Sequence, residues 1–190
     1  MLVGVEHLDL AALEAGLDEI RRSPKDAGRL ELIVARPAVE ERELLEEGML
    51  DTAEGLVGDC WRARGSSSTE DGSANLSAQL TLTNARATAL VAGTPERWQL
   101  AGDQLYVDLD LSVDNVPPGT RLAIGSAVVE VSDLPHRGCR KYFDRFGKDA
   151  LRWVSSDVGL ELNLRGVNAM VVVGGSVRVG DEIRKTSVSR

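Results

Sequence analysis

From Gln104 onward, apolar and polar residues alternate in short runs, and glycine or proline interrupts the runs at near-regular intervals. Leu105, Val107, Leu109 and Leu111 fall on one side of such a run, with Tyr106, Asp108 and Asp110 on the other. A period of two belongs to a strand with one buried face, which a helical bundle cannot use. Pro117-Pro118-Gly119 turns the chain into Arg121–Ile124, and Gly125-Ser126 turns it again into Ala127–Val131. Two short runs with a two-residue Gly-Ser connection predict a β-hairpin. Further runs follow over 165–173, 176–179 and 182–184, parted by Gly174-Gly175 and Gly180-Asp181. Together they predict a β-rich α+β fold, a β-barrel-like core with peripheral helices.

The first half of the chain carries more helical signals. Asp9 stands where a helix cap belongs, and Leu10, Leu13, Leu17 and Ile20 share one helical face before Pro24 and Gly28 end the pattern. Leu30–Ala35 reads as a strand that should end or lie at an edge at Pro37, which has no N–H to donate. The charged segment 39–47, with Leu44 and Leu45, reads as a short helix, and Gly55–Trp61 as a glycine-bounded turn feeding a short strand. Residues 64–78 form a polar loop expected to be mobile or ordered by a partner. Gln79–Thr83 alternates as a strand, followed by a helical turn over 87–92. Phe143, Phe146, Ala150, Leu151 and Val154 mark a later amphipathic helix. A helical extension over 1–28, packed on one domain over 29–190, accounts for the 190 residues.

Charge and composition narrow the function. A formal net charge of -8 argues against a general nucleic-acid binder, which needs a basic face, but leaves room for a local anion site. No apolar run is long enough for a transmembrane helix, and Met1–His7 lacks the basic and apolar regions of a signal peptide. With only two cysteines, far apart, the expectation is free thiols in a reducing cytoplasm. Two cysteines and two histidines do not fall at zinc-ligand spacing, and Gly-x-Ser-x-Gly is absent.

One stretch concentrates chemistry. In Pro135-His136-Arg137-Gly138-Cys139-Arg140-Lys141, a cysteine sits among three cations and a histidine, just before the amphipathic helix. Cations and the positive end of a helix dipole favour the thiolate, the form that attacks sulfur and binds soft metals. Cys139 is therefore the candidate nucleophile or metal ligand, with His136 as a candidate proton carrier. Arg137, Arg140 and Lys141 are candidates for binding an anionic cofactor group, unless they are ordinary solvated helix charges. Arg165 and Asn168, around Gly166, and Asn84 and Arg86, after a strand end, are further candidate anion or cofactor contacts; turn and edge roles are the alternative. Arg36 is a weaker candidate. Cys60, beside Trp61 and without cationic flanks, reads as a buried and inert thiol.

An ordered set of short motifs then stands out. They are Gly58-Asp59, the strand Gln79–Leu82, the Gly119…Leu122…Ile124-Gly125 hairpin, Cys139, and the closing Gly174-Gly175…Val179-Gly180-Asp181. Over roughly Leu30 to Lys185 this set resembles the MOSC domain, the C-terminal domain of molybdenum-cofactor sulfurases that also occurs as small standalone bacterial proteins. The resemblance implies a barrel-like fold, a functional cysteine at Cys139, and a role as sulfur carrier or in molybdenum-cofactor handling. A persulfide would sit on that cysteine, and a sulfur donor or a molybdoenzyme would be the partner protein. In family members that reduce N-hydroxylated substrates, the equivalent cysteine ligates molybdenum, so a cofactor-dependent reductase is one alternative and a non-catalytic anion-binding module another. The pyridoxal-phosphate domain of the full sulfurases has no counterpart in this sequence, so that cofactor is not expected.

Overall fold

The computed structural model describes residues 7–186. The N-terminal residues read above for a signal peptide, apart from His7, and the last four residues of the expected domain lie outside that range.

Among the described residues, eleven strands form two sheets. In chain order they are β1 (Ala27–Ala35), β2 (Glu43–Leu45), β3 (Glu47–Asp51), β4 (Gly55–Leu56), β5 (Leu80–Asn84) and β6 (Leu105–Asp108), then β7 (Arg121–Ile124), β8 (Ala127–Val131), β9 (Val167–Val173), β10 (Gly175–Arg178) and β11 (Glu182–Lys185). The large sheet runs β11-β7-β8-β9-β5-β6-β1, and β11 pairs back onto β1, which closes a seven-stranded barrel with β2 outside it. All neighbours are antiparallel except β5 and β6. That parallel pair needs a crossover. It is supplied by α4 (Ala85–Ala92) and α5 (Pro95–Trp98). Strands β10, β3 and β4 form a small antiparallel sheet.

The strand alternation divides the apolar residues between two cores. On β6, Leu105 and Val107 join the barrel interior, while Tyr106 between them faces the helices. On β1, Ile33 and Ala35 point inward and Val34 outward. The outer layer is built by α1 (Leu10–Ala15), α2 (Leu17–Arg21), α4 and α6 (Arg140–Val154), through Leu13, Ile20, Val91, Phe146 and Trp153. Each fully buried Leu or Phe of this kind contributes roughly 1.5–3 kcal/mol relative to exposure. Short helices α3 (Trp61–Arg64) and α7 (Asp157–Glu161) complete the fold.

The β-rich α+β barrel expected from the sequence is present, as is the β7–β8 hairpin around Gly125-Ser126. Three local readings differ. The charged segment 39–47 is not helical: after a turn it holds β2 and the first residue of β3, because Leu45 and Leu44 pair with Ile33 and Val34 of β1 and Leu45 packs on the barrel core. A free sheet edge outweighed local charge pattern. Over 55–61 the short strand, β4, comes before the turn rather than after it, and Trp61 is buried at the start of α3. The polar loop is tied by its own hydrogen bonds: Thr69 Oγ1 donates to the Ser66 and Ser73 carbonyls at 2.9 and 2.6 Å, and Asn75 caps a short turn of helix over Leu76–Ala78.

Candidate functional site

Two buried ion pairs shape one end of the barrel. The first follows from Gly58-Asp59. Asp59, with a side chain fully shielded from solvent, accepts from Arg36 Nε at 2.7 Å, Arg36 Nη2 at 3.0 Å and the Arg36 backbone N–H at 3.0 Å. Arg36 Nη1 donates to the Gly102 carbonyl at 3.0 Å. Asp59 also accepts from the Trp61 N–H, and the Cys60 N–H donates to the Arg36 carbonyl, so the same clamp fixes Cys60.

The second pair lies where the chain enters β6 and β9. Arg165 Nη1 donates to Asp103 Oδ2 at 2.6 Å, Nη2 donates to the Ala101 carbonyl at 2.9 Å, and the guanidinium lies 4.9 Å from the Tyr142 ring centroid. Asp103 is completely buried. Burial pushes its carboxyl up, against the pull of the Arg165 guanidinium. Its other oxygen, Oδ1, has no hydrogen-bond partner among the described residues, and neither has His136 Nδ1, 3.6 Å away. Burial, reinforced by Arg165 and Arg36, holds the His136 imidazole well below its usual range, so it is neutral at pH 7. Burial likewise raises the Tyr142 phenol far above its usual range. Gly166 next to Arg165 has φ 100°, and a Cβ there would lie 2.3 Å from the Leu82 carbonyl. The backbone at this glycine thus packs directly against strand β5, beside Arg165.

These groups form a wall between two cavities. One, about 300 Å³, is lined by six cations, Arg36, Arg42, Arg64, Lys141, Arg145 and Arg165, and a single carboxylate, Glu40. Cys139 opens onto it, exposed, as the N-cap residue of α6. Cys60 opens onto it too and is half-buried, so the inert, buried thiol read from sequence instead shares a cavity with Cys139. Glu40 accepts from Lys141 Nζ at 2.6 Å and from Arg145 Nη2 at 2.5 Å, and these cations pull its carboxyl down to about 2. Arg42 and Arg64 have no carboxylate partner among the described residues, and Arg42 Nε is buried without any partner. Burial and the neighbouring Arg145 and Arg36 depress the Arg42 guanidinium. The other cavity, about 480 Å³, shares His136, Arg165 and Asn168 with the first.

The candidates from sequence separate accordingly. Cys139, His136, Lys141, Arg165 and Asn168 converge on the basic cavity, together with Arg36. Arg137 lines the other cavity. Arg140 turns away to Asp144, at 2.8 Å, and over Phe143. Asn84 caps α4 and bonds Ser23 and the Leu109 carbonyl, and Arg86 grips Asp108 and Glu19; neither lines either of these two cavities. Arg42, Arg64, Arg145, Asp103 and Tyr142 were not legible. Asp103, a charge at the head of an apolar run, was the one with a local signal.

A small mixed barrel with a thiol at a helix start, facing a basic cavity in an acidic chain, defines a recognisable class. The chain matches the MOSC domain over residues 68–184 and belongs to that family. Its fold is similar to that of the YuaD protein of Bacillus subtilis, at TM-score 0.63 and 16% identity, covering 86% of this chain and 97% of that one. It is also similar to YiiM from Escherichia coli, at TM-score 0.54 and 20% identity, covering 84% and 70%, and to YiiM from Geobacillus stearothermophilus, at 0.57 and 14%, covering 84% and 75%. No curated protein sequence matches the chain. Among the described residues no helix is long and apolar enough to cross a membrane, and no cluster of three or more His, Cys, Asp or Glu is placed to hold a metal ion.

Proposed function

We propose that the chain is a sulfur carrier whose Cys139 holds sulfane sulfur in the basic cavity. The observation that supports this is the setting of Cys139: an exposed thiol at a helix start, opening on a cavity whose cations outnumber its carboxylates. In the step proposed, the Cys139 thiolate attacks the outer sulfur of a donor persulfide, R–S–SH. A new Sγ–S bond forms, the donor S–S bond breaks, R–S⁻ departs, and the proton stays on the transferred sulfur. The cations lining the cavity offset the negative charge as it passes from the attacking to the departing sulfur.

Exposure of the purified protein to glutathione persulfide tests this. Intact-mass measurement should show the gain of one sulfur atom, peptide mapping should place it on Cys139, and Cys139→Ser should abolish it. Equal loading of Cys60, or none of Cys139, would sink the reading.

A second reading is favoured by the donor set. The residues present fit a phosphate-bearing molybdenum–pterin cofactor: Cys139 offers a soft sulfur ligand, while Arg42 and Arg64, free of carboxylate partners, and the unpartnered Arg42 Nε offer contacts for a phosphate. When bound, such a group supplies two-electron redox chemistry. Metal and pterin analysis of protein from a cofactor-competent host decides this reading, with Cys139→Ser expected to lose the metal.

A further inference from the structure

The larger cavity is a different chemical environment from the one that holds the thiols. Its floor is apolar: Val116, Val131 and Val167 are at most 6% exposed. Its rim carries three exposed carboxylates, Asp114, Asp133 and Glu161, none of which forms an ion pair among the described residues. The opposing cations are Arg137 and Arg165, and Arg165 is already neutralised by Asp103. Its volume of about 480 Å³ falls within the roughly 300–1,000 Å³ typical of small-molecule sites.

A second observation comes from the wall rather than the rim. Asn168 is 5% exposed, and its Nδ2 donates to the Leu134 carbonyl at 3.0 Å. Its Oδ1 receives no hydrogen bond from any described residue and is not shut off from solvent, which leaves an open acceptor on the wall that the two cavities share. Carboxylates at the mouth and an unfilled acceptor inside both call for a ligand rich in N–H donors.

We infer that this cavity is a binding site for a small apolar organic cation, an amine whose body lies on the valine floor and whose N–H groups meet Asn168 and the rim carboxylates. The basic cavity repels such a molecule, so the two sites take ligands of opposite charge on either side of the His136–Arg165–Asn168 wall. The site contains neither cysteine, so the inference stands or falls independently of the sulfur-carrier reading.

The test compares phenethylamine with hydrocinnamate, its carboxylate counterpart, by amide chemical-shift titration of the full chain. Phenethylamine should saturate in the millimolar range, perturb Val113, Leu160 and Val167, and bind about tenfold more tightly than hydrocinnamate. Asp133→Asn combined with Glu161→Gln alters exposed rim positions only, and should bring the two ligands to near parity while leaving the spectrum folded. Cys139→Ser should bind phenethylamine as the parent does. Equal or tighter binding of hydrocinnamate to the parent, shifts confined to other regions, or an amine preference untouched by the double substitution would each overturn the proposal.

Discussion

The two cavities share a wall and almost nothing else. On one side six cations face one carboxylate and two thiols; on the other, valines underlie a rim of three carboxylates. An acidic protein thus keeps a local positive potential by gathering arginines in one concavity, where low-dielectric walls focus the field. The contrast depends on the wall being rigid, and the Arg165–Asp103 pair is what fixes it. The largest expected effect therefore comes from breaking that pair. Asp103→Asn leaves a buried guanidinium without its counter-charge and should destabilise the fold by about 3–5 kcal/mol in urea unfolding. Asp103→Leu with Arg165→Met, which removes both charges, should recover most of the loss. An unchanged midpoint for Asp103→Asn would mean the wall is held by something else.

The next effect separates the cavities by charge. Arg42→Ala with Arg64→Ala removes the two cations of the basic cavity that have no carboxylate partner among the described residues. Phosphate affinity, followed by calorimetry, should fall about tenfold, roughly 1.4 kcal/mol. Binding of phenethylamine should not change. A parallel loss at both sites would show that the cavities are one electrostatic unit.

How far this contrast could be read in the sequence depended on sequence distance. The barrel was legible because each strand announces itself within a few residues: Leu105 and Val107 go inward and Tyr106 outward, whatever the rest of the chain does. Cys139, His136 and Lys141 were legible together because seven consecutive residues carry them. Arg145 was not, because the Glu40 contact that holds it joins residues 105 positions apart. The same limit misplaced Cys60. Its immediate neighbours Asp59 and Trp61 carry no positive charge, yet the Arg36–Asp59 clamp turns it toward the cations. Segment 39–47 failed for a related reason, since only the closed barrel reveals that β1 has an edge for Leu44 and Leu45 to join.

The wall also has a pH dependence. His136 is neutral in the folded protein because its pKa lies well below the ordinary 6.5. Below about that pH the unfolded chain binds a proton that the folded chain refuses, so stability falls as pH drops from 6.5 toward the depressed folded value. Thermal melting between neutral and mildly acidic pH should show this fall, and His136→Asn should flatten that part of the profile. An unchanged slope would place the histidine in a more solvated setting than the wall provides.

The smallest effect sharpens the contrast rather than breaking it. Glu40 is the one carboxylate in the basic cavity, and its backbone φ of 65° lies in the left-handed region that non-glycine residues seldom occupy. Asparagine tolerates that conformation, so Glu40→Asn removes the charge without adding backbone strain. Lys141 and Arg145 then lose their shared partner, and phosphate affinity should rise roughly twofold, a modest gain because the pair is exposed and screened. Acid does not imitate the substitution. With its pKa near 2 against an ordinary 4.5, Glu40 stabilises the folded chain fully above about 4.5 and loses that contribution only as pH falls toward 2. Phosphate affinity corrected for phosphate's own ionisation should therefore receive no Glu40-dependent gain between pH 7 and pH 5, whereas Glu40→Asn should show its gain throughout. If the substitution leaves affinity unchanged at low ionic strength, Lys141 and Arg145 do not face the bound anion, and the basic cavity reduces to the part around Arg42 and Arg64.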